Sequence, residues 1–508
     1  MTLEFLKAAA ESNQWWAITP ELVVAGMALM LLVSEIILPK KEHRFIPLFA
    51  VLALVGALVG VICNFFFSPE VWSQQPLFAG LIQISTQGQI ARVFFLCSAL
   101  LVIFLASVCL PRSKMPRVEF YHIVLVITAA TMLLVQSNHF VMFFVALETL
   151  TIGLYILVSY FRDNPLTLEA GLKYLVLGSL SSGIMLFGIV LLYGAVGRVV
   201  DGSGVVHTGF EFPVLANFLQ HNHDNFLAIV GALLVLSGVA FKIGAFPFQV
   251  WVPDVYQGAP TPVTAFLAVS SKAAGFAVLL TLVNSVFLPL KGLLVPVLSA
   301  MAAATILYGN LSALTQRDAK RLMGLSGVSH AGFLLIGVTA SLTVSWAWTA
   351  VWFYLFTYML ASMAVFGVMT HLAGENDALQ DLDSYDQLAK GKPFLAAILA
   401  VGVGSLAGIP PLAGFMGKLL VFVAAFEAHL YGLLAFAVVG VVISIYYYFG
   451  WIKAAYFSTG RQDSPVEVRP ATAGTAPNFL SVAVLTTLAL ATIAIGFFQT
   501  PLTSWLMK

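Results

Sequence analysis

Five charged side chains fall inside stretches otherwise too apolar to hold a charge: Glu148, Lys173, Lys242, Lys272 and Lys418. In hydrocarbon each costs about 2.5–3.5 kcal/mol to insert, so the set costs about 12–17 kcal/mol uncompensated. That rivals the stability of a whole domain, so these groups must face a protein interior or water, and they need partners. Four of them are amines and one is a carboxylate, so pairing alone leaves amines over. A desolvated amine beside other amines favours its neutral form and can exchange a proton. That chemistry is proton carriage. The competing reading is static bracing by fixed ion pairs that only set packing.

The spacing around these residues adds a device. Lys242 lies five residues before Pro247, and Lys418 lies seven after Pro411. Proline breaks a helix and frees backbone carbonyls, which couples helix geometry to a nearby lysine. Glu148 is expected to pair with Lys173 or Lys242 in one state and release it in another. At ~4 Å and an effective dielectric near ~20 such a pair is worth about 4 kcal/mol. His330, in the run Leu325-Ser326-Gly327-Val328-Ser329-His330-Ala331-Gly332-Phe333, can pass protons between lysines, with Ser326 and Ser329 holding water. It can equally be a satisfied packing residue. His122, His139, His371 and His429 read as span-end residues, and no histidine pair has the spacing of a haem site.

The elements that position these residues follow from composition. The chain is 60% hydrophobic and 9% charged, against about 25% charged in a soluble domain. A bilayer is the solvent that fits. The net charge of +1 and the absence of basic blocks imply no nucleic-acid partner. Cys63, Cys97 and Cys109 lie in apolar runs without metal spacing and read as small buried hydrophobes. The N-terminus, with Glu4, Lys7 and Glu11 ahead of a full-length apolar run, is not a cleavable signal.

Apolar runs of spanning length lie near 18–38, 45–66, 91–110, 120–137, 140–161, 170–196, 226–246, 262–288, 293–315, 322–341, 346–373, 393–427, 431–457 and 478–505. They predict an all-α integral membrane fold of roughly fourteen spans. Pro247 and the Gly408-Ile409-Pro410-Pro411 run make spans 7 and 12 discontinuous. Two breaks five spans apart predict inverted repeats of spans 4–8 and 9–13. The expected division is 1–117, 118–290, 291–458 and 459–508: a three-helix segment, two repeats, then a linker with the last span.

Loops after odd spans hold Lys40, Lys41, Arg44, Arg112, Lys114, Arg117, Arg162, Arg317, Lys320, Arg321, Lys390, Lys392, Lys453, Arg461 and Arg469, whereas loops after even spans hold Arg198 and Lys291. Both termini are therefore expected outside. The inner loop 374–392, with Glu375, Asp377, Asp381, Asp383 and Asp386, reads as a solvated loop or a docking surface. The 197–225 loop reads as a polar outer loop. Asp254 is expected near the cytoplasmic face, with Thr261 and Pro262 as N-cap and first turn of span 8.

Several of these stretches resemble a known family. Phe241 to Phe266 (FKIGAFPFQVWVPDVYQGAPTPVTAF) with Ser271-Lys272, Glu169 to Gly194, Arg321 to Phe333 (RLMGLSGVSHAGF) and Leu406 to Lys418 (LAGIPPLAGFMGK) resemble subunit N of proton-pumping NADH:quinone oxidoreductase, respiratory complex I. The related subunits L and M carry Trp-Leu-Pro-Glu-Ala-His where this chain reads Val252-Pro253-Asp254-Val255-Tyr256. Subunit M has glutamate at the position of Lys418, and subunit L has a lateral helix beyond the last span, where this chain stops at Lys508.

The resemblance implies that Glu148, Lys173, Lys242, Lys272, His330 and Lys418 form a central polar axis for protons. It also implies further antiporter-like and other membrane-arm subunits as partners in a bacterial inner membrane. No cofactor is expected on this chain; FMN, iron–sulfur clusters and quinone belong to partner subunits. Gln249 departs from the histidine usual after Phe246-Pro247-Phe248, and glutamine takes up no proton. A stand-alone Mrp-type sodium/proton antiporter and a hydrogenase- or ferredoxin-linked complex are the alternatives. Sodium prefers oxygen ligands, which a lysine axis scarcely offers.

Overall fold

The apolar runs become helices whose ends are closed by nearby polar residues. The computed structural model describes residues 10–37, 39, 42–67, 76–112, 118–200, 206–373, 377, 380–457 and 476–507. Glu4, Lys7, Lys40, Lys41, Lys114, Arg117, Glu375, Arg461, Arg469 and most of the 459–477 linker lie outside them. The first six helices are α1 (Thr19–Ile37), α2 (Ile46–Phe67), α3 (Thr86–Cys109), α4 (Val118–Leu134), α5 (Phe140–Val158) and α6 (Pro165–Val196). Then come α7 (Phe226–Ile243), α8 (Val252–Gly258), α9 (Thr261–Val286), α10 (Lys291–Ala313) and α11 (Ala319–Ser341). The last are α12 (Ala347–Leu372), α13 (Pro393–Ala407), α14 (Ala413–Glu427), α15 (Tyr431–Tyr456) and α16 (Phe479–Phe497). Ser85, Asn164, Asn225, Asp318 and Asn478 each accept a backbone N–H in the first turn of the following helix, satisfying donors that the helix cannot.

Twelve helices among the described residues are long and apolar enough to cross a membrane, and α4 and α13 are shorter apolar ones. Together they give the fourteen crossings expected, α7 with α8 and α13 with α14 forming the two broken spans. Both breaks have one geometry. Gly244 and Gly408 end their helices at φ +72 and +84, a conformation that favours glycine. The next residue's N–H reaches back to a carbonyl five residues earlier, Ala245 to Ala240 and Ile409 to Gly404. The glycines themselves donate to Phe241 and Ser405, completing the same capping motif twice. A cis proline follows three residues after each glycine, Pro247 and Pro411.

Helices α9, α11 and α12 are almost wholly buried, whereas α1, α6 and α15 turn Leu29, Leu172 and Val442 outward. Such a face needs lipid or another apolar chain. The basic loops gather at one end. Arg112, after α3, donates to the Thr370 carbonyl in the last turn of α12 at 2.8 Å. Lys320, fully buried, donates to Asp377 and to the Ala259 carbonyl.

Three expectations change. The 197–225 loop contains a hairpin, Arg198–Val200 against Val206–Thr208, and a surface helix, Phe212–His221. Asp377 of the 374–392 loop is buried, and it accepts the Thr261 N–H at 2.6 Å. The cap of α9 thus comes from 116 residues away, not from Thr261. Finally, Lys173 is not in the buried interior: its side chain is 42% exposed and pairs with Glu169 and Asp254.

At the opposite end lies a buried ion pair. Arg92 of α3 grips Glu21 of α1 through two bonds, of 2.7 and 2.9 Å, and also donates to the Ala17 carbonyl. Gln136, after α4, donates to Glu21 as well. The pair joins α1 to α3, with Gln136 beyond the end of α4 bonded to it, and both charged side chains are buried. Removing one partner strands a buried charge, so Arg92→Met alone should cost about 3–5 kcal/mol, and Glu21→Met with Arg92→Met far less. Thermal unfolding of the purified variants measures this; a single variant as stable as the double would refute it.

Candidate functional site

Three buried lysines and a histidine occupy the interior formed by α5, α7, α9, α11, α12, α14 and α15. Each amine rests on an uncharged oxygen. Lys242, in the last turn of α7, donates to Thr151 Oγ1 of α5. Glu148 lies three residues before Thr151, hence on the same face of α5, and its Oε1 accepts from Ser182 of α6 at 2.6 Å. Glu148 and Lys242 form no direct ion pair; each is held by a hydroxyl instead. A small cavity, with room for about one water molecule, is lined by both Lys242 and Lys272.

Lys272 of α9 donates to the Gly327 carbonyl of α11 at 2.6 Å and lies 3.4 Å from the Tyr358 hydroxyl of α12. A side chain at Gly327 would meet the amine at 2.8 Å, so the close approach requires glycine there. The Tyr358 ring also packs 5.0 Å from His330 and so stands between lysine and histidine. His330 Nδ1 is 2.7 Å from the Tyr354 hydroxyl, and Nε2 is 3.1 Å from that of Tyr448. A neutral imidazole donates from one nitrogen and accepts at the other. Bonded on both sides to hydroxyls, it can take a proton from one neighbour and give one to the other.

Lys418 of α14 donates to the carbonyls of Leu406 and Ala407, both at 2.9 Å. These are carbonyls that the end of α13 leaves without helical partners. Between Lys418 and His330 lies the Phe333 ring, 5.2 Å from the amine.

Lys173 stands apart. It pairs with Glu169 and with Asp254 of α8, each at 2.7 Å, and its side chain is 42% exposed. Ser182, to which Glu148 is bound, lies nine residues along α6 from Lys173, about 13 Å. The expected Glu148–Lys173 pair is therefore absent here, and Lys242 is the lysine near Glu148. Gln249 is buried within the first break. Sequence reasoning missed Thr151, Ser182, Tyr354, Tyr358 and Tyr448. Their signal is hydroxyls spaced three or four residues apart in an apolar span, as in Tyr354 and Tyr358.

The family profile described as NADH:quinone oxidoreductase/Mrp antiporter, TM, matches residues 137–444. The chain is 61% identical to NADH-quinone oxidoreductase subunit N 1 of Opitutus terrae, with both chains covered in full. It superposes on a chain of respiratory complex I from Thermus thermophilus with TM-score 0.76 and 29% identity, covering 96% of this chain and 99% of that one. It also shares its fold with a chain of the Mrp complex from Dietzia, at TM-score 0.78, 20% identity and 96% coverage of each.

The second break carries its own test. A Cβ at Gly408 would lie 3.0 Å from Lys418 Cδ and 3.2 Å from its Nζ, at a φ that side chains avoid. Gly408→Ala should destabilise the protein by about 1–2 kcal/mol through backbone strain and displace the amine from its carbonyls. A melting temperature equal to that of the parent would contradict this geometry.

Proposed function

The chain belongs to the NADH-quinone oxidoreductase subunit N family, and from that membership we propose a proton path through Lys242, Lys272, His330 and Lys418, gated by Glu148. As a family member it is a proton-translocating subunit in the membrane arm of respiratory complex I. NADH oxidation and quinone reduction in that assembly supply the driving energy. The 61% identity over the full length favours this reading over a stand-alone sodium/proton antiporter.

The observation that carries the path is the cavity lined by both Lys242 and Lys272. A single water there can accept a proton from one amine and donate to the other. Tyr358 then offers a hydroxyl between Lys272 and His330. Beyond His330 the proton meets Phe333, so transfer to Lys418 requires a transient water chain, and we assign the second gate to this ring. The first gate is Glu148. When it leaves Ser182 and approaches Lys242 to ~4 Å, the new pair is worth about 4 kcal/mol at an effective dielectric near ~20. Moving one charge against ~100 mV costs about 2.3 kcal/mol, so the swing is large enough.

The basic loops support an orientation with that end in the cytoplasm and both termini outside an inner membrane. Loading is then from the cytoplasm at Lys242, and release is outward from Lys418. Among the described residues no group of histidines, cysteines and acids could hold a metal ion. We assign the flavin, the iron–sulfur clusters and the quinone to partner subunits. Lys173, at the basic end, serves the approach to the path rather than its centre.

In proteoliposomes of the assembled complex, Lys242→Ala and Lys418→Ala should reduce NADH-driven proton uptake to background. Full pumping by both variants would sink the path. Tyr358→Phe should slow pumping by roughly tenfold or more while assembly is unchanged; an unaltered rate would remove Tyr358 from the route.

A further inference from the structure

The half-helix α8 is a wall one residue thick between the loading cavity and the basic end of the protein. Val252 and Tyr256, four residues apart, line the cavity together with Lys242, Trp251, Lys272 and Gly324. Asp254 lies between them, about 200° round the helix from Val252, so it projects from the opposite face. There its two oxygens are divided. Oδ2 accepts from Lys173 of α6 at 2.7 Å, and Oδ1 accepts from Arg321 of α11 at 2.8 Å. Arg321 also donates to Gln257 of α8 at 3.0 Å. One carboxylate therefore fastens α8 to a helix of each repeat.

The seat on the other face is close. Val252 and Tyr256 pack against Gly324, where a Cβ would be 3.1 Å from Tyr256 and 3.2 Å from Val252. Arg321 lies three residues before Gly324, so the clamp and the seat occupy neighbouring turns of α11. The span is interrupted from Gly244 to Phe248 before the helical turn Gln249–Trp251 that runs into α8, and again at Ala259-Pro260 after it. What keeps this wall shut is side-chain contact.

We infer that Asp254 is a positioning residue that latches α8 over the cavity shared by Lys242 and Lys272, and that release of its bonds to Lys173 and Arg321 opens that cavity toward the basic end. The latch deepens the proton-path reading, because it controls access to the first two lysines of that path. It gives Lys173 a role that does not require contact with Glu148. It also explains why the half-helix carries a carboxylate on the face turned away from the lysines.

The test uses the assembled, detergent-solubilised complex with Cys63, Cys97 and Cys109 of this chain replaced by serine. Val252→Cys reports whether the cavity wall is open, through its labelling rate with a hydrophilic maleimide, read on this chain by mass spectrometry. Asp254→Asn should raise that rate about tenfold, the size of a local opening made easier by ~1.4 kcal/mol, while Asp254→Glu stays near the parent. If Asp254→Asn does not assemble, Lys173→Met with Arg321→Gln leaves the carboxylate present but unheld, and should raise the rate likewise. Equal labelling in the unlatched and parent complexes overturns the latch. The readout is independent of pumping, so a faster label in a complex whose Lys242→Ala variant still pumps would retain the latch and reject only the path.

Discussion

Inside a bilayer an amine can be held only by groups that the protein supplies, and which groups it supplies decides what the amine can do. Two kinds of site divide this chain. At the ends of the helices, cations sit on carboxylates: Arg92 on Glu21, Lys320 on Asp377, and Lys173 and Arg321 on Asp254. A carboxylate fixes the charged form of its partner, and these pairs tie helices together. In the interior the amines sit on neutral oxygens: Lys242 on Thr151, Lys272 on the Gly327 carbonyl, Lys418 on the carbonyls of Leu406 and Ala407. A hydroxyl or carbonyl holds the amine in place without a counter-charge. Such an amine can give up its proton without leaving a carboxylate unpaired.

The neutral oxygens come at a structural cost that the fold meets in a particular way. An unbroken helix already uses each of its carbonyls once, so a lysine must take a second lone pair or a carbonyl left over at a helix end. Lys418 finds two because α13 stops at Gly408, and the cap satisfies only the carbonyls of Gly404 and Ser405. Lys272 reaches the Gly327 carbonyl because that position has no side chain in the way. Glycine thus serves the same end by two routes, ending a helix at one site and clearing an approach at the other. At the second break charge and helix end support each other, because Lys418 takes the two carbonyls that the break leaves over.

That coupling explains what could be read from the sequence. A lysine in an apolar span declares itself by its cost, and a proline in such a span declares a break, so Lys242, Lys272, Lys418 and both discontinuous spans were legible. The hidden features depend on tertiary distance. Glu21 and Arg92 lie at the margins of their spans, where a charge looks interfacial, and 71 residues separate them. Asp377 looked like one of several loop acids until Thr261, 116 residues earlier, was seen to need its oxygens. Lys173 sits in an apolar run like the buried lysines, and only its pairing with Glu169 and Asp254 on an exposed face sets it apart. The tyrosines around His330 are harder to read, because a phenol in an apolar span costs far less than a charge and only the three-to-four-residue spacing of the hydroxyls marks it.

The two breaks share one capping geometry but differ in the charge that follows them. Asp254 and Lys418 both stand ten residues after the glycine that ends the preceding half-helix. In the first repeat that position carries a carboxylate, which turns away from the break and takes cations from neighbouring helices. In the second it carries an amine, which turns back onto the break's own carbonyls. One charge reversal at one spacing from the glycine therefore separates a carboxylate that binds cations of other helices from an amine that binds backbone carbonyls. The aspartate needs partners outside its own span, so it binds the repeats to each other. The lysine needs none, because the break beside it already supplies the oxygens.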